Sequence, residues 1–98
     1  MANSLKSAGF LVESRIADAV RGDIRAYFEL GVAYSAGSDG LHVDLVQAHK
    51  WFNLAALGGI ERGQECRAEI AEEMSAREIA EAQRQARSWL AGMTQQAA

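Results

Sequence analysis

Apolar residues recur at three- and four-residue spacing along most of the chain, which is the period of an amphipathic α-helix. Short breaks containing glycine or serine divide this pattern into five segments. The pattern therefore predicts five helices, at about residues 4–21, 24–36, 45–57, 60–74 and 76–91. Asp23 and Asp44 precede the second and third helices, where an aspartate can cap the first turn. Ser75 is followed by Glu78 at the spacing of a capping box, which marks the start of the fifth helix.

Composition favours helix and predicts a single domain over residues 1–98. The 98 residues include no proline, and 49% of them are hydrophobic. Ten basic and 13 acidic residues give a net charge of -3, which excludes the basic patch typical of nucleic-acid binding. No apolar run approaches the roughly 20 residues of a membrane span, and the apolar stretch at 8–12 is too short for a secretory signal. We expect a soluble, cytoplasmic protein.

Residues that could carry catalysis or hold a metal or cofactor do not form a recognisable pattern. His42, His49 and Cys66 lack the spacing of metal ligands, and we interpret them as two surface histidines and a small core cysteine. A nucleophilic pair of Cys66 and His49 is disfavoured, because glutamates flank the cysteine. The sequence therefore predicts no enzyme activity, no cofactor and no metal site.

The segment from Gly22 to Gly59 carries a repeat-like motif, G-x-x-x-A-x-x-x-L-G-x-x-Y-x-x-G followed by D-x-x-x-A-x-x-W-x-x-x-A-A-x-x-G. Its positions are Gly22, Ala26, Leu30, Gly31, Tyr34, Gly37, Asp44, Ala48, Trp51, Ala55, Ala56 and Gly59. This segment resembles one full Sel1-like repeat, a relative of the tetratricopeptide repeat, and the chain resembles a small bacterial member of that family. Gly22 and Gly59 lie 37 residues apart, a period typical of a helix–turn–helix repeat.

The resemblance implies an all-α fold in which antiparallel helical hairpins stack as a short right-handed superhelix. Residues 22–59 would be the full repeat, residues 60–92 a divergent capping hairpin, and residues 93–98 a frayed tail. Sel1-like proteins are scaffolds and adaptors, so the resemblance also implies that the chain binds a peptide or helix of another protein.

Two surfaces are candidates for such contacts. The first helix of a hairpin lines the concave side of the superhelix in this family. The candidate contacts there are Tyr27, Arg25, Glu29 and Ala33. The alternative is a homodimer that covers an open end of the stack. Its candidate residues are Leu5, Phe10, Leu11 and Val12. A small helical enzyme would need a convergent polar pocket, for which the sequence offers no residues.

Overall fold

The structure, a computed structural model, describes the backbone of residues 4–38 and 40–97 and the side chains of residues 11–38 and 40–94. Within these ranges the chain forms five helices and no strand. The helices are α1 (Ser4–Val20), α2 (Ile24–Ala36), α3 (Leu45–Leu57), α4 (Glu61–Ala71) and α5 (Ala76–Ala97). The all-α prediction is therefore confirmed for the described residues. The stacking of hairpins and the handedness of a superhelix stay predictions.

Side-chain caps set the starts of three helices, as the sequence predicts. Asp23 caps α2 by accepting a hydrogen bond from the backbone N–H two residues on, at 3.0 Å. Asp44 accepts from the N–H of Gln47 at 3.1 Å, at the start of α3. Ser75 and Glu78 form a reciprocal capping box, with N–H to side-chain oxygen distances of 2.8 and 3.1 Å. Each cap satisfies a backbone donor that the helix itself cannot.

Helix α3 lies at the centre of the fold and packs against α2, α4 and α5, whereas α1 packs mainly on α2. Helix α2 approaches α3 closely at Gly31, which is buried against the ring of Phe52. Helices α4 and α5 each rest on α3, and their described residues make no extensive contact with each other. The predicted capping hairpin is therefore not a closely packed helix pair.

Helix α5 differs most from its predicted length. It does not end at Gly92 but continues to Ala97, so the prediction of a frayed tail from residue 93 is wrong over residues 93–97. Met93 is half-buried, and its methyl group lies beside Gly22 in the turn between α1 and α2. This placement of Met93 is a tertiary feature that the local preference of glycine for a helix end does not reveal.

Candidate functional site

Tyr27 lies in the core and not on a concave surface. Its side chain is only 6% exposed, because α5 covers this side of α2. The ring stacks on Trp51, with ring centroids 5.8 Å apart, and meets Trp89 edge-on at 6.3 Å. The indole Nε1–H of Trp89 donates a hydrogen bond to the Tyr27 hydroxyl oxygen at 3.2 Å. The prediction that Tyr27 is an exposed partner contact is therefore wrong.

The other three predicted contacts on α2 do not form a surface together. Ala33 is buried in the core, so its prediction as a contact is wrong as well. Arg25 and Glu29 are exposed, and Glu29 forms an ion pair with Arg15 of α1 at 2.8 Å. Because Tyr27 is buried, no exposed aromatic side chain among the described residues of α2 accompanies these two charged residues, and exposed charges alone do not indicate a binding site.

The predicted self-association surface is only partly within the described residues. Leu11 is 45% exposed, but Val12 is buried in the core, so its prediction as a contact is wrong. The side chains of Leu5 and Phe10 lie outside the described residues. A helix can expose only some of four clustered apolar residues, because neighbouring positions point in different directions.

The repeat-like positions occupy the core, the turns and the helix starts. The buried ones are Ala26, Leu30, Gly31, Ala48, Trp51 and Ala55, while Tyr34 and Ala56 are partly buried. Gly22, Gly37 and Gly59 adopt positive φ angles of 87°, 68° and 105°, and Asp44 caps α3. Glycine is favoured at a positive φ because it has no Cβ. Packing and turn formation therefore account for these residues.

A groove of about 320 Å³ follows one face of α5. Helix α5 contributes six residues at successive i, i+4 positions, which form one continuous stripe: Arg84, Gln85, Ser88, Trp89, Gly92 and Met93. Val20 at the end of α1 and Lys50 of α3 complete the lining. The sequence pattern does not predict this groove. Two small residues in one stripe of α5, Ser88 and Gly92, are the only local indication of a groove, because the other lining residues come from distant parts of the chain.

Lys50 is half-buried in this groove and lies over aromatic rings. Its ammonium nitrogen is 4.5 Å from the ring centroid of Trp51 and 5.4 Å from that of Trp89. No carboxylate among the described residues forms an ion pair with it. Burial lowers the pKa of Lys50 from its ordinary value. The indole faces compensate for only part of the lost hydration, since a cation–π contact contributes about 0.5–2 kcal/mol.

The neighbouring polar side chains are held by a hydrogen-bond chain. Gln47 donates to the Gln85 amide oxygen at 2.9 Å, and Gln85 in turn donates to Glu81 at 2.8 Å. Arg84 donates to both carboxylate oxygens of Glu81, at 2.9 and 2.6 Å. Hydrogen bonds from Arg84 and Gln85 lower the pKa of Glu81 to about 2. The charge of Arg84 is therefore balanced within the protein, while that of Lys50 is not.

Comparison with known proteins finds no matching family model, curated protein or solved structure. The resemblance to a Sel1-like repeat stays a prediction that rests on the residues quoted above. No helix in the described part of the chain is both long enough and apolar enough to cross a bilayer.

The surroundings of His49 and Cys66 disfavour a nucleophilic pair. His49 is only 3% exposed, so its interpretation as a surface histidine is wrong, and its Nδ1 has no hydrogen-bond partner among the described residues. Burial, and to a lesser degree the positive charge of Arg67, lower the pKa of His49. Burial raises the pKa of the Cys66 thiol, which disfavours the reactive thiolate. The described residues also hold no cluster of His, Cys, Asp or Glu suited to a metal ion.

Proposed function

We propose that the chain is a non-catalytic protein-binding module and that the groove along α5 receives a short extended segment of a partner protein. The observation that carries this proposal is the shape of the lining. It follows one stripe of α5 from Arg84 to Met93, a length of about 13 Å at the rise of an α-helix. An extended chain advances about 3.3 Å per residue, so roughly four residues of a partner match this length.

The chemistry of the groove supports binding over catalysis. Its lining contains no histidine, cysteine or carboxylate that could act as a base or nucleophile beside Lys50. Apolar surface from Val20, Trp89 and Met93 alternates with polar groups, an arrangement typical of sites that recognise a ligand by a few polar contacts. Trp89 is partly exposed, and tryptophan is enriched among binding anchors.

Site-specific photo-crosslinking tests this proposal. Ser88 lines the groove and is exposed, whereas Gln83 is exposed on the same helix and does not line it. A benzophenone amino acid is placed at either position in the full chain, which is then irradiated in an extract of the source organism. We expect a protein adduct from position 88 that is absent or much weaker from position 83. Equal adducts from both positions, or none from position 88, would contradict the proposal.

Self-association is the second candidate, and one observation favours it. Helix α1 packs mainly on α2, and its Leu11 side chain is 45% exposed, so this apolar side chain is accessible to a second copy. Sedimentation velocity over a concentration series separates the two proposals. A dimer that dissociates in Leu11→Glu would support self-association, and a monomer at all concentrations would eliminate it.

A further inference from the structure

The charge balance of the groove indicates the chemistry of its occupant. Two cationic side chains line the groove, Lys50 and Arg84. The guanidinium of Arg84 already donates hydrogen bonds to both carboxylate oxygens of Glu81. Lys50 alone keeps an uncompensated charge, on a half-buried ammonium that has lost part of its hydration. A single ammonium matches one monovalent carboxylate. A phosphate group carries up to two negative charges and is better matched by an arginine guanidinium that binds two of its oxygens. The guanidinium in this groove is already paired with Glu81.

Gly92 adds a second, independent observation. It lies within helix α5 and in the groove stripe, yet apart from its chain neighbours and the backbone of its own helix, no heavy atom of the described residues lies within 4 Å of the position that a Cβ would take. A glycine inside a helix is less stable than an alanine, and close approach of another backbone is a common reason to keep one. At Gly31 the ring of Phe52 supplies that close neighbour. At Gly92 the space is open toward the groove.

We infer that the groove binds an extended segment carrying an aspartate or glutamate side chain, which pairs with Lys50 while the backbone of the segment crosses α5 at Gly92. This inference rests on the proposed function and adds the chemistry of the partner. A side-chain carboxylate is chosen over a chain terminus because the lining continues along α5, so a segment can pass through the groove. The apolar side chains beside Lys50 favour an apolar residue next to the acidic one.

Two peptides that differ at one residue test the carboxylate. The probes are acetyl-Ala-Leu-Glu-Leu-Ala-amide and its glutamine counterpart, both without charged ends. Binding to the full chain is followed by tryptophan fluorescence, since Trp89 lines the groove and Trp51 contacts Lys50. We expect the glutamate peptide to bind at least fivefold more tightly than the glutamine peptide. Lys50→Gln should abolish this preference, and Lys50→Arg should keep it. Arg62→Gln removes a cation outside the groove and should leave the preference unchanged.

Gly92→Ala tests the backbone approach. An added methyl should weaken the binding of both peptides at least fivefold, while the urea midpoint of the variant rises because alanine is the better helix residue. Gln83→Ala, on the same helix but outside the groove, should alter neither peptide affinity. A merely structural role of Gly92 does not predict that binding falls as stability rises. Unchanged affinity in Gly92→Ala would overturn this part of the inference.

The outcomes separate this inference from the proposed function. Equal binding of the two peptides overturns the carboxylate and leaves the groove as a peptide site. Binding of neither peptide overturns the inference, and the crosslinks from positions 83 and 88 then decide independently whether the groove contacts a partner protein. Circular dichroism establishes that each variant is folded before it is titrated. If Lys50→Gln does not fold, the comparison of the two peptides on the unchanged chain still decides.

Discussion

Gly31 provides a sharp test of the packing between α2 and α3. An alanine methyl at this position would lie 2.5, 2.7 and 2.9 Å from three ring carbons of Phe52. Ordinary contacts between carbon atoms are about 3.5–4.0 Å, so the ring or the helices would have to move by roughly 1 Å. Phe52 is fully buried and also packs against Phe28, with ring centroids 5.5 Å apart. A turn of the ring would therefore have to displace its buried neighbours.

The net effect of Gly31→Ala follows from two opposing contributions. Replacing a helical glycine by alanine stabilises a helix by about 1 kcal/mol. Forcing an extra methyl group into a packed core costs about 1–3 kcal/mol, and the short distances at Gly31 favour the upper part of this range. We expect the free energy of unfolding to fall by about 1–2 kcal/mol. For a domain of this size, each 1 kcal/mol corresponds to a fall in melting temperature of about 4–8 °C.

Urea denaturation followed by far-UV circular dichroism measures this effect, and Gly92→Ala is the matched control. The same substitution at Gly92 meets no described atom within 4 Å other than its chain neighbours and its own helix backbone, so it should raise the free energy of unfolding by about 0.5–1 kcal/mol. The double variant Gly31→Ala/Phe52→Leu should be less destabilised than the sum of the two single variants, because the smaller side chain yields space for the added methyl. If Gly31→Ala is as stable as the unchanged protein, the close approach of Phe52 does not constrain this position and the reasoning fails.

Three further predictions concern single side chains. Burial lowers the pKa of His49 from 6.5, so the unfolded state binds a proton more readily than the folded state. The free energy of unfolding should therefore be highest above pH 6.5 and fall as the pH drops below it. A urea midpoint that depends on pH equally in His49→Gln would refute this. Ser75→Ala breaks the capping box with Glu78 and should lower the free energy of unfolding, measured by thermal denaturation, by about 1 kcal/mol. If the two residues are coupled, Glu78→Ala should destabilise the Ser75→Ala variant less than it destabilises the unchanged protein. Tyr27→Phe removes the acceptor for the Trp89 indole N–H and should cost about 1 kcal/mol; an unchanged urea midpoint would show that this hydrogen bond does not contribute.

The bounds of α2 and α3 could be predicted from sequence because their signals are local. Asp23 and Asp44 each act on a backbone N–H two or three residues away, and Gly37 ends α2 with a positive φ of 68°. Such interactions depend on the chain immediately around them. The end of α5 could not be predicted in this way. Glycine is common at helix ends, so Gly92 locally predicts an end. The placement of Met93 beside Gly22, 71 positions earlier in the chain, is not visible in the local sequence.

The candidate site could not be predicted because it is built by tertiary packing. Tyr27 has the pattern of an exposed aromatic within α2, and only the placement of α5 buries it beneath Trp89. The groove itself joins the end of α1, the middle of α3 and residues 84–93 of α5. Periodicity within one helix reveals which residues share a face. It does not reveal which faces of separate helices meet.

The central position of α3 has a consequence for how the molecule opens. Removing α3 exposes the surfaces of α2, α4 and α5 at once, whereas detaching α1 disrupts mainly its interface with α2. Local opening of α1 therefore requires less free energy than opening of any segment that contains α3. We expect the four helices from α2 to α5 to open together, because α3 contacts each of the others, and the groove formed by α3 and α5 lies largely within this group. Of the described residues, Val20 is the one lining residue that belongs to α1. A fluctuation that releases α1 would therefore widen the groove while α3 and α5 stay folded.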